Sequence, residues 1–248
     1  MKIAVLYVAR EPDAAIWFRE SYYKYDPGCD HALIILEKGC MALGLNRTDN
    51  IEVPNRGFDL GAYRYAALQL SHEYEFLCLL NSHSVILDHN WLLKIYKPFA
   101  LGGDDVGLVG TTASCESMYE NGLVNGKWFN SIRRWYFPPF PNPHIRTQGI
   151  LIRRRHLLEM WPMWFPTKRH CYLFESGYNS LWRKMRARGL KAVIVGKDGH
   201  PREVDWATSQ TFRNGEQENL LIADNQTCRY QRGTKQERTT LAAAAWGT

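Results

Sequence analysis

Residues 51–80 read IEVPNRGFDL GAYRYAALQL SHEYEFLCLL. Ile51 to Val53 is a short apolar strand, Pro54-Asn55-Arg56-Gly57 a turn, Leu60 to His72 a helix-like segment, and Phe76 to Leu80 an unbroken apolar run of strand length. In this order they form a β-α-β unit with parallel strands, because the crossover helix returns the chain to the same end of the sheet.

The same rhythm extends outward. Before it lie a strand at Ile3 to Val8, a helix at Ala14 to Tyr25 and a strand at Ala32 to Leu36. After it come a helix at Trp91 to Phe99, a strand at Val106 to Gly110 and an aromatic, proline-rich stretch from Lys127 to Pro143. Regularity returns with a strand at Gly149 to Ile152 and a helix at Arg155 to Met160. Phe174-Glu175-Ser176-Gly177 then opens a helix to Arg188, Gly189 caps it, and Lys191 to Val195 is another strand. The pattern predicts one α/β domain with a central mixed, mostly parallel sheet of about seven strands flanked by helices. Beyond Lys197 it turns irregular and polar, and Leu241 to Thr248 reads as a short appended helix or a frayed tail.

A chain of 248 residues with 45% hydrophobic content suffices for one large core. The apolar run at the start has no basic leader or small-residue cleavage site, and no uncharged apolar stretch approaches the roughly 18 residues of a membrane span. Cys29, Cys40, Cys78, Cys115, Cys171 and Cys228 are scattered without a C-x-x-C pair, which suits reduced thiols and a cytoplasmic address, with any membrane association peripheral. The net charge is +6, but residues 127–170 hold nine Lys/Arg against one acid, Glu159. That local excess points to a phosphate-bearing or polyanionic partner. Trp128, Trp135, Trp161 and Trp164 interleave there with Arg133, Arg134 and Arg153 to Arg155, a mixture suited to stacking on sugars or bases, to an anionic membrane face, or to core tryptophans beside solvated arginines. No recognisable nucleic-acid motif accompanies it, so nucleic acid is an unlikely partner.

Ligands of open α/β sheets gather at the carboxyl ends of the strands. Pro54 to Tyr63, with Asn55-Arg56-Gly57 and Asp59, joins a strand to a helix, Asn81-Ser82-His83-Ser84 follows a strand, and Phe174-Glu175-Ser176-Gly177 opens a helix; Gln148-Gly149 stands before the Ile-Leu-Ile-Arg strand. In order and spacing they resemble the glycosyltransferases of the GT-A fold, and within these the inverting polysaccharide enzymes and rhamnan-synthesis F-like proteins. The resemblance spans about residues 2–199.

It implies a donor half at about 1–110 and an acceptor half at about 111–213, with 214–248 as a lid or tail. It also implies transfer from a UDP- or dTDP-sugar to a glycan or lipid-linked hydroxyl. Donor contacts fall on Ala9, Arg10, Asn55, Arg56, Gly57, Asp59, Asn81, Ser82, His83 and Arg213, and acceptor contacts on Gln148, Gly149 and Trp135. Glu175 is the implied catalytic base, although relatives often use the following position, which is Ser176 here. Such enzymes commonly carry a D-x-D that holds Mn or Mg; Asn81-Ser82-His83-Ser84 replaces it, so no metal is assigned, and His200 reads as a surface histidine. Arg10, Arg56, His83 and Arg213 then neutralise the leaving diphosphate. A nucleic-acid-binding module and a sugar-binding protein of the same fold without turnover are the competing readings. Asn55 and Gly57 as a mere turn, Asp59 as a helix N-cap and Glu175 as a helix N-terminal acid are the structural alternatives.

Overall fold

The computed structural model describes residues 2–38, 49–119 and 133–247. Cys40, Lys127 and Trp128 lie outside them. One eight-stranded sheet runs in the order β11-β10-β6-β9-β4-β1-β2-β3. Its members are β1 (Lys2–Ala9), β2 (Ala32–Glu37), β3 (Asp49–Glu52), β4 (Tyr74–Leu80), β6 (Val106–Gly110), β9 (Ile150–Arg153), β10 (Lys191–Val195) and β11 (Pro201–Arg202). Two-residue strands pair aside from it: β5 (Val85–Ile86) with β12 (Ile222–Ala223), and β7 (Ala113–Ser114) with β8 (His144–Ile145).

Alternation along the strands divides the core into two layers. Ala4, Leu6 and Val8 of β1 share one face with Ile34, Leu36, Leu77 and Leu79; Ile3, Val5 and Tyr7 share the other with Leu33, Ile35, Cys78 and Leu80. Helices α1 (Pro12–Lys24) and α3 (Trp91–Gly102) supply buried residues to the second layer. The first layer receives α2 (Phe58–Gln69), α4 (Arg154–Met160), α5 (Lys168–Ser176) and α6 (Leu181–Ala187). With both faces covered, the central strands are apolar apart from residues at their ends such as Lys2, Glu75 and Arg153. The chain closes with α7 (Asn225–Arg232) and α8 (Lys235–Trp246).

Three features position the site. From β1 the chain steps outward through β2 to β3, then returns to place β4 on the other side of β1, so a topological switch point opens between the ends of β1 and β4. Strand β9 runs antiparallel between β4 and β6, which brings its entry turn, Gln148-Gly149, to the same edge.

The third feature corrects the sequence reading. Phe174–Gly177 does not open a helix; α5 ends there, and α6 begins at Leu181. The break has a local cause. The Gly177 amide closes the last turn on the Leu173 carbonyl, but the Tyr178 amide donates to the Tyr136 carbonyl at 3.1 Å instead of continuing the ladder. Glu175 therefore sits in the last turn of α5, where the helix dipole disfavours a carboxylate.

Candidate active site

The N-x-G loop is shaped by its backbone. Gly57, at φ +75°, is the N-cap of α2, and a Cβ there would come within 3.1 Å of the Gly61 Cα. Phe58 follows at φ 55°, a conformation that costs a bulky residue and is typical of loops whose shape serves a ligand. Asp59 lies in the first turn of α2 and is not its cap. Asn55 and Arg56 are exposed.

A residue that the motif reading passed over holds this loop. Lys38, directly after β2, is 5% exposed, and its ammonium donates to the Arg56 carbonyl at 3.2 Å and to the Phe58 carbonyl at 2.5 Å. Burial pushes its amine below the usual 10.5, Asp59 opposes that shift, and Arg10 reinforces it. Arg10, Lys38 and Asp59 thus share one electrostatic neighbourhood at the ends of β1, β2 and β3. The only hint in the sequence is a lysine separated by one residue, Glu37, from the apolar run Ala32 to Leu36.

Across the switch point, β4 ends in Asn81-Ser82-His83-Ser84. The Asn81 carboxamide oxygen accepts the His83 amide at 3.0 Å and the Ser84 hydroxyl at 3.2 Å, which closes a tight turn. The buried Tyr7 hydroxyl donates to the Ser82 carbonyl at 2.9 Å, tying this turn to β1. Burial raises the Tyr7 phenol pKa, and Asp59 and Glu11 raise it further, so it remains a neutral donor.

Gln148 and Gly149 complete the edge. Gly149 donates to the Leu79 carbonyl and accepts from the Thr111 amide, both at 3.0 Å, joining the ends of β4 and β6. The buried Gln148 amide donates to the Ser84 hydroxyl at 3.4 Å; its own oxygen and the Thr111 hydroxyl are buried with no hydrogen-bond partner among the described residues. Gly149 has φ +64°, and a Cβ would fall 2.3 Å from the Thr111 hydroxyl. Gly149→Ala is expected to cost about 1–3 kcal/mol, read as a melting midpoint several degrees lower.

Glu175 reaches the same edge. The Thr147 hydroxyl and its backbone amide, the latter at 3.3 Å, both donate to Oε2, and among the described residues Oε1 carries no hydrogen bond. Ser176, the alternative position, turns its hydroxyl onto the Tyr172 carbonyl at 3.2 Å and is buried. The Lys168 ammonium, at the start of α5, lies 5.6 Å from the Phe58 ring, so this helix packs beside the N-x-G loop. A chain of bonds also connects Glu175 through Thr147-Gln148 to Ser84 and Asn81.

Ala9, Arg10, Asn55, Arg56, Gly57, Asp59, Asn81, Ser82, His83, Gln148 and Gly149 therefore lie in the segments at the carboxyl end of the parallel strands, with Glu175 bonded there through Thr147. Arg213 and Trp135 are the other two sequence-predicted residues. Arg213 is buried, its guanidinium bonded to Glu116 and, at 2.9 Å, to the Gln226 amide oxygen. Trp135 is 81% exposed and lines a cavity of about 340 Å³ on the other flank of α5.

Asn81 spends its oxygen inside its own turn, and no group of three His, Cys, Asp or Glu with metal-binding geometry occurs among the described residues. His200 is exposed in the turn before β11, with its amide on Asp198, whose carboxylate is paired with Arg202.

The crossover order, the antiparallel strand inserted beside β4 and the loops at this edge define a GT-A-type fold. A mannosyltransferase from Pyrobaculum calidifontis, solved with GDP-Man and Mn2+, is similar at a TM-score of 0.50 and 13% identity over 85% of this chain; the chain spans 59% of that protein. The catalytic domain of Drosophila beta1,4galactosyltransferase 7 with xylobiose is similar at 0.46 and 12% over 97% of this chain and 79% of its own. The 4-diphosphocytidyl-2C-methyl-D-erythritol synthase of Anaerococcus prevotii is similar at 0.44 and 12%, over 97% and 96%. No protein-family model matches the chain, and no curated protein matches it by sequence. Likeness at this identity concerns fold; chemistry has to be argued from the site.

Proposed function

We propose that the chain is a nucleotide-sugar-dependent, inverting glycosyltransferase that acts on a hydroxyl of a glycan or lipid-linked acceptor. The observation that supports this reading is the Glu175 carboxylate, held by the Thr147 hydroxyl and amide beside Gln148-Gly149, the turn that abuts the end of β4. In the reaction the acceptor oxygen attacks the anomeric carbon while the bond to the diphosphate breaks on the opposite face. The acceptor proton passes to Glu175, and the electron pair leaves with the nucleotide.

The donor diphosphate lies against the N-x-G loop at the start of α2, where the helix dipole, Arg10 and Arg56 favour negative charge. His83 adds a donor across the switch point. Fixed cations replace a metal in this scheme, and UDP- or dTDP-sugars are the donors it accommodates.

A nucleotide-sugar panel read by thermal shift, followed by turnover of the best hit, tests the proposal. A donor at about 100 times its Kd stabilises by about 2.7 kcal/mol, or roughly 5–10 °C for a chain of this size. Turnover is expected to persist in excess EDTA. The absence of any stabilising nucleotide sugar would overturn the function, and a manganese-restored loss in EDTA would overturn the metal-independent scheme.

A further inference from the structure

The basic, tryptophan-rich stretch divides into two kinds of residue. Trp161 is core: it is buried, its ring packs on Phe174 at 4.5 Å between centroids, and its indole donates to the Leu60 carbonyl. Arg153 pairs with Glu75, Arg154 caps the end of α2 through the Ala67 and Leu70 carbonyls, and Arg155 pairs with Asp104. Those groups are explained by the fold.

The remainder is not. Trp135, Met163 and Trp164 are 81%, 85% and 64% exposed, among the most exposed large apolar side chains described. Trp135 and Trp164 line the 340 Å³ cavity with Tyr136 and Tyr178, and among the described residues no acidic side chain lines it. Cations stand beside it: Lys184 lines it, the Arg169 guanidinium lies 4.8 Å from the Tyr136 ring, and Arg134 adjoins Trp135 in sequence. The one acid of the surrounding stretch, Glu159, is bonded to Arg188.

We propose that this surface docks on an anionic lipid bilayer. Tryptophan and tyrosine rings have an apolar body and a polar edge, so they settle at the headgroup level, and Met163 beside them suits the acyl boundary. Arginine and lysine around such rings complement anionic headgroups, each worth about five-fold in partitioning. A protruding thioether and a rim lacking acids fit a bilayer better than a saccharide, whose hydroxyls need matched polar partners. The inference stands independently of the transferase reading. If both hold, docking brings the lipid surface to one flank of α5 while Glu175 lies on the other, an arrangement suited to a lipid-linked acceptor.

The test is co-sedimentation of the full chain with vesicles of phosphatidylcholine mixed with phosphatidylglycerol, and of phosphatidylcholine alone. Binding is expected on the mixed vesicles, at least about five-fold weaker without the anionic lipid and weakened by salt. The double variant Trp135→Ala, Trp164→Ala should lose about ten-fold or more, with an unchanged thermal midpoint showing that it is folded. Lipids brominated in the acyl chain should quench wild-type fluorescence, and this quenching should fall in a Trp135→Phe, Trp164→Phe variant that still binds. Failure to bind mixed vesicles, equal binding by the alanine variant, or undiminished quenching in the phenylalanine variant would overturn the proposal. Capture of an oligosaccharide at Trp135 without vesicle binding would overturn it too.

Discussion

Replacing Glu175 by glutamine is expected to lower kcat by about 10²–10⁴-fold while leaving donor binding within a few-fold of wild type. The substitution keeps shape and volume. It also keeps an amide oxygen able to accept the Thr147 hydroxyl and backbone amide, so the end of α5 stays in place. What disappears is the capacity to take up a proton. A purely structural Glu175 predicts the reverse outcome: a shifted melting midpoint with kcat intact. Single-turnover kinetics with saturating donor, set beside thermal denaturation of both proteins, separate the two. The Thr147 contact sharpens the comparison. Thr147→Val removes the hydroxyl that orients the carboxylate but leaves the base itself, so its kcat should fall between those of wild type and Glu175→Gln.

The sequence revealed some of this and hid the rest for physical reasons. β1, β2 and β4 were legible because strands covered on both faces are apolar runs, and the helices between them are amphipathic. The N-x-G glycine was legible because only a positive φ gives it meaning. The direction of β9 was not, since an antiparallel insertion between two buried strands has the same composition as a parallel one. Nor was the end of α5 at Glu175, because the Tyr136 carbonyl that captures Tyr178 lies 42 residues away in sequence. Lys38 went unseen for a related reason: its partners are main-chain carbonyls, which no side-chain motif records. The even mixture of tryptophan and arginine between Lys127 and His170 concealed a division that only coordinates resolve, with Trp161 and Arg153 to Arg155 structural and Trp135 and Trp164 on the surface.

The largest effect on stability is expected at Arg146 and Asp224, which are 78 residues apart and buried together at 2.7 Å. Arg146 precedes Thr147, lies 4.3 Å from the Phe212 ring and donates to the Thr112 hydroxyl, so it locks the C-terminal segment against the edge that holds Glu175. Asp224 also caps α7, accepting the Gln226 and Thr227 amides. Asp224→Asn preserves that cap and removes only the charge, leaving a buried guanidinium without its counter-ion. The expected cost is about 3–5 kcal/mol, on the order of 10 °C in the melting midpoint. Arg146→Met with Asp224→Asn removes both charges and should recover most of the loss, which identifies the uncompensated charge as the cause. The pH dependence provides a second readout. Burial alone would raise the Asp224 carboxyl, but Arg146 and the Thr227 bonds outweigh it and hold the group below its usual 3.8. A carboxyl depressed in the native state binds fewer protons there than in the unfolded chain. Its contribution is complete above the unfolded value and fades as pH falls through the folded one. The gap between wild type and Asp224→Asn should therefore be constant at neutral pH and close as acid denaturation proceeds below about pH 4; a gap independent of pH would rule out the ion pair as its source.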